Sequence, residues 1–182
     1  MTVRANYSIG ERPTVSEMNT FSANPALQYI SQINLNAVTT TIASGFNSTY
    51  ANYHLEFSNL RSTTASTLAL ISLTGGTGTS HHSSFRYTSE TGAVTLNSSA
   101  SAAYWLGIYL PTANVGTQCS MDIFSPNVSL NTQYQFQASS GLGGSFGGGI
   151  NTNNTSYVGF SIVGLFGSVI QGTLRIYGYR KV

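Results

Sequence analysis

From Leu27 onward, apolar and polar positions alternate with a period of two. Tyr53, Leu55 and Phe57 are interleaved with His54, Glu56 and Ser58. Tyr134, Phe136 and Ala138 are interleaved with Gln133, Gln135 and Gln137. The same rhythm runs through Leu68 to Ile71, Tyr157 to Ile162 and Leu174 to Tyr177. These stretches are rich in β-branched and aromatic residues, so the pattern predicts half-buried β-strands. Breakers separate them at Gly75-Gly76, Thr91-Gly92, Pro111, Ser125-Pro126-Asn127, Gly141 to Gly149 and Gly167. No long amphipathic helix is available to cross between parallel strands. The expected fold is therefore all-β: an antiparallel, jelly-roll-like sandwich of about eight to ten strands over residues 26–182.

Residues 1–25 follow another pattern. Thr14 and Glu17 have the spacing of a capping box at the start of a short helix, which Asn24-Pro25 stops. Met18 and Phe21 give that helix one small apolar face. A helix this short is not stable alone. It must dock, either on its own domain or, as an attachment arm, on a neighbouring protein. Thr14, Glu17, Met18 and Phe21 are the assembly residues predicted for that arm.

Composition narrows the function. Charged residues make up 7% of the chain, the net charge is +2, and close to half of the residues are Ser, Thr, Asn or Gly. The 41% of hydrophobic residues suffice for a core, so the chain is no disordered polar tract. Nucleic-acid binding would require a basic stripe, and only one Lys is present. The single Cys119 forms no intrachain disulfide. No apolar run reaches the length of a membrane span, and the N-terminus shows no secretory signal. Synthesis in the cytoplasm is the expectation.

Candidate chemistry is sparse. No spacing pairs two of Glu11, Glu17, Glu56, Glu90 and Asp122 as a glycosidase would need. The expectation is a non-enzyme without a cofactor. His81 and His82 follow a glycine-rich stretch and read as loop residues; as a metal site they would need matching histidines from other subunits. Gly141 to Gly149 lacks phosphate-loop spacing and reads as either a flexible loop or a glycine-kinked strand. Ala103 to Leu110 is nearly all apolar, so it should be buried on both faces. Trp105 reads first as core. Tyr104, Trp105 and Tyr109 are also candidate glycan contacts, because exposed aromatic rings stack on sugars.

Several phrases carry a resemblance. They are Leu27-Gln28-Tyr29-Ile30-Ser31-Gln32, Phe46 to Leu60, Met121-Asp122-Ile123-Phe124-Ser125-Pro126 and Gly172 to Tyr179, together with Thr14 to Phe21. Over roughly residues 14–60 and 100–180 the chain resembles a module of tailed-bacteriophage virion proteins, of the tail-fibre or minor structural type. The resemblance implies a homotrimeric virion appendage with an arm that joins other virion proteins and an exposed sandwich that touches the host surface, its glycan or its protein. It carries no catalytic residue. A capsid decoration protein is the alternative, and a polysaccharide-degrading enzyme a more distant one. No nucleic-acid partner and no membrane insertion are expected.

Overall fold

A computed structural model describes residues 27–64, 66–74, 80–89, 91–111 and 115–180. The arm residues Thr14, Glu17, Met18 and Phe21 lie outside the described residues. Twelve strands form, more than the sequence pattern separates. They are β1 (Leu27–Ala37), β2 (Thr39–Ile42), β3 (Tyr50–Ser62), β4 (Thr67–Thr74), β5 (His81–Thr88), β6 (Val94–Ala102), β7 (Trp105–Leu110), β8 (Thr117–Phe124), β9 (Thr132–Ser140), β10 (Gly143–Asn151), β11 (Gly159–Gly164) and β12 (Ile170–Arg180). A 3₁₀ turn, Leu165–Gly167, connects β11 to β12.

The strands make two antiparallel sheets. The larger has the order β1-β12-β3-β8-β9-β10-β5-β6, and the smaller β2-β11-β4-β7. Setting aside β5, β6, β9 and β10 leaves two four-stranded sheets, β1-β12-β3-β8 and β2-β11-β4-β7. The chain crosses between them from β1 to β2, β2 to β3, β3 to β4, β7 to β8, β8 to β11 by way of the β9–β10 hairpin, and β11 to β12. That is the double Greek key of a jelly roll. The two remaining hairpins, β5–β6 and β9–β10, join along β10 and β5 to extend the larger sheet as a four-stranded wing.

Alternation explains the packing. Tyr53, Leu55, Phe57 and Leu60 of β3, Met121 and Ile123 of β8, and Leu174 and Ile176 of β12 point inward. They meet Ile71 and Leu73 of β4, Ile108 of β7 and Phe160 and Ile162 of β11. The wing folds over β7. Trp105 stacks on Tyr134 with ring centroids 4.3 Å apart, and Tyr109 stacks on Tyr87 at 4.4 Å. β7 is an edge strand, and its free backbone groups need partners. The wing provides them: Leu106 N–H donates to Ser83 Oγ (3.0 Å), Tyr109 N–H to Ser145 Oγ (3.3 Å), and Tyr134 O–H donates to the Leu106 carbonyl (2.7 Å).

One sequence expectation is corrected here and one open reading is resolved. His81 and His82 begin strand β5 rather than sitting on a loop. The Gly141–Gly149 stretch, open between loop and strand, is a two-residue turn running into β10. Glycine is required at position 149 on the inward side of β10, where a Cβ would lie 2.6 Å from the Tyr134 ring and 2.2 Å from the His82 carbonyl. Its absence leaves room for the Tyr134 ring that stacks on Trp105.

Candidate functional site on the outer face of the larger sheet

Cross-strand register places residues in lanes that run across a sheet, with Cβ atoms of paired residues about 5 Å apart. One lane on the outer face of the larger sheet reads Tyr29, Tyr177, His54, Asp122, Gln135, Gly148. The next reads Gln32, Arg175, Glu56, Ser120, Gln137, Phe146, Arg86, Leu96. These are the polar members of the alternating strands, and they gather much of the charge of the described residues on one surface.

The lanes are tied together. His54 Nδ1 lies 2.8 Å from Asp122 Oδ1, and with Asp122 ionised that nitrogen carries the proton. His54 Nε2 is turned towards Glu56 Oε1 at 3.9 Å rather than towards a hydroxyl. Tyr177 O–H donates to Glu56 Oε2 (3.0 Å), and Tyr179 O–H approaches Asp122 Oδ1 at 3.5 Å. Burial, reinforced by the neighbouring carboxylate, raises the pKa of both phenols, so they stay protonated as donors. Gln135 Nε2 reaches Asp122 Oδ2 at 3.5 Å. Sequence spacing gave no reason to pair Glu56 with Asp122. Glu56 stands two residues from His54 on the same face of β3, and the adjacency of β3 and β8 brings Asp122 to the same imidazole.

Beside this network lies an open trough of about 580 Å³, lined by Ser120, Asp122, Gln135, Gln137, Phe146 and the turnless backbone of Gly147. A second hollow of about 350 Å³ continues from it past Ser120 and Gln137 towards Glu56 and Gln118. The trough lies where the wing leaves the jelly-roll frame, over β8, β9 and β10. Phe146 forms its wall and is 55% exposed. Its neighbours on the same face of β10 are Gly144 and Gly148, so no side chain on the strand flanks the ring.

The residues singled out from sequence fall elsewhere. Trp105 (0% exposed) and Tyr109 (6%) are interior side chains of β7, and Tyr104 is half-buried beside them. Of the two readings for Trp105, core is the one the fold adopts. The aromatic surface positions are Tyr29, Phe146 and Phe166 instead. Phe146 was hidden because it stands in the glycine-rich segment, where no alternation is legible. His81 is buried, its Nδ1 3.1 Å from the Ala102 carbonyl, while His82 points to the opposite face. Burial lowers the pKa of His81. Among the described residues no group of three His, Cys, Asp and Glu side chains is placed to hold a metal ion. Cys119 is buried on the inner face of β8.

No protein-family model matches this chain, and no curated protein matches it by sequence.

Proposed function

We propose that this chain is a structural protein of a tailed-bacteriophage virion, a tail-fibre or receptor-binding type of appendage that uses the outer face of the larger sheet to contact the host surface. The observation that carries the contact role is the outer face itself: two lanes of amides, hydroxyls, phenols and carboxylates around an open trough. The phage assignment rests on the sequence resemblance. The jelly-roll topology is compatible with it, since that architecture recurs in viral and lectin domains, but fold alone does not assign function. In this reading residues 1–25 join other virion proteins and three copies assemble as a trimer. Many weak contacts then add up through avidity.

Particle composition tests the reading. Particles purified from a culture producing this chain should contain it in tens of copies or fewer, counted by quantitative mass spectrometry. Copy numbers near those of the major shell protein would instead make it a capsid decoration protein. A chain missing from purified particles would end the virion reading.

A second reading has one specific observation in its favour. Glu56 and Asp122 flank His54, and paired carboxylates are the machinery of glycosidases. A reducing-end assay on host polysaccharide tests it. Release of sugar by the intact chain, abolished in Glu56→Gln and Asp122→Asn, would replace the contact role by a polysaccharide-degrading one.

A further inference from the structure

We infer that the trough over β8, β9 and β10 binds a neutral saccharide chain, with Phe146 as the stacking platform and Asp122, Gln135 and Gln137 as the hydrogen-bonding groups. This rests on the contact role proposed above and names its ligand class.

Three observations converge on that chemistry. First, the trough sits in the middle of the sheet. β8, β9 and β10 each pair on both sides, so their backbone groups are consumed by the ladders. A peptide adding as an extra strand needs an open edge, and there is none here. Recognition must come from side chains.

Second, the side chains present suit hydroxyl groups. Gln135 and Gln137 each offer donors and an acceptor, Ser120 does both, and Asp122 accepts. Sugar hydroxyls are likewise donors and acceptors at once. Asp122 is preset for this role: His54 holds Oδ1 at 2.8 Å, while Oδ2 faces Gln135 at 3.5 Å and retains acceptor capacity towards the trough. The trough itself contains no cationic lining residue; Arg86 lies across from Phe146 on β5 and lines the hollow on the other side of the ring. An anionic polymer would therefore face the Asp122 carboxylate with no counter-charge inside the trough.

Third, the exposed ring is unflanked along its own strand. Gly144 and Gly148 leave Phe146 without neighbours along its strand face, so a flat apolar partner can reach it. The C–H face of a pyranose ring is such a partner. The second hollow, towards Glu56 and Gln118, extends the surface from β10 to β3, three strand spacings or roughly 14 Å. This favours a chain of several sugars over a single one.

The test uses the full chain on an array of neutral oligosaccharides (glucans, galactans, mannans and rhamnans), with hyaluronate, polylysine-binding polyglutamate and a random peptide library as comparison probes. The inference expects retention on at least one neutral glycan, weakened about tenfold or more in Phe146→Ala and in the double variant Gln135→Ala/Gln137→Ala. Phe166→Ala removes an equally exposed ring from another part of the surface (Phe166 is 92% exposed) and should bind like the parent. Circular dichroism confirms that each variant is folded. Binding to no neutral glycan, binding to the acidic polymers or peptides alone, or equal loss in Phe146→Ala and Phe166→Ala would each overturn it. A chain that is present in particles but ignores neutral glycans keeps the virion reading and loses this one. A chain that binds them but is absent from particles does the reverse.

Discussion

The Tyr134 ring lies against the Trp105 indole, centroids 4.3 Å apart with 24° between planes, while its hydroxyl donates to the carbonyl of the next residue, Leu106, at 2.7 Å. One side chain of the wing thus covers the largest buried ring and closes a free acceptor on the edge of the smaller sheet. Trp105→Ala should cost about 3–5 kcal/mol, the range for truncating a buried aromatic side chain. Tyr134→Phe keeps the stack and leaves the Leu106 carbonyl unpaired, so about 1–3 kcal/mol is expected. Urea denaturation of both variants checks the order. A Tyr134→Phe protein as stable as the parent would show that water replaces the hydroxyl.

His81 makes folding stability depend on pH. Burial lowers its pKa below the ordinary 6.5. The unfolded chain therefore takes up a proton at a higher pH than the folded one, and between the two values the unfolded state binds more protons. Its contribution is fully present above about pH 6.5 and is lost as the pH falls towards the folded pKa. Denaturation midpoints measured from pH 8 to 5 should fall on acidification more steeply for the parent than for His81→Gln. Parallel curves would mean that His81 binds its proton equally well in the folded and unfolded chain.

Cys119 should behave as an inert core residue. It is 6% exposed, and burial pushes its thiol pKa far above the usual range, so little reactive thiolate forms. A chromogenic disulfide reagent should leave it unmodified in the native protein and titrate one thiol per chain in denaturant. Rapid labelling without denaturant would show that β8 opens locally.

Removal of residues 1–25 should leave a folded sandwich. β1 begins at Leu27, pairs along its length with β12, and the core cluster starts at Leu35. Thermal unfolding should remain cooperative with a midpoint within a few degrees of the full chain, corresponding to less than about 1 kcal/mol. In the virion reading the truncated protein no longer joins particles. Loss of the cooperative transition would make those residues part of the core.

The period of two, the breakers and the aromatic content determine by themselves that this chain forms antiparallel strands around one aromatic core. Alternation assigns each residue a face, so the inward set Tyr53, Leu55 and Phe57 and the outward set His54, Glu56 and Ser58 are legible without coordinates. A face does not name a partner, however. His54 and Asp122 are 68 residues apart, and only the adjacency of β3 and β8 joins them. Glu56 reaches the same imidazole locally, two residues from His54 on the same face of β3. Phe146 is hidden twice over: its neighbours are glycines, which give no hydrophobic rhythm, and its exposure depends on β10 pairing with β9 and β5. Trp105 illustrates the opposite limit. Its apolar surroundings predict burial, but the ring that covers it comes from a hairpin outside the eight-stranded frame. Local pattern is set by which side chains must leave water. The site is set by sheet order, which long-range packing decides.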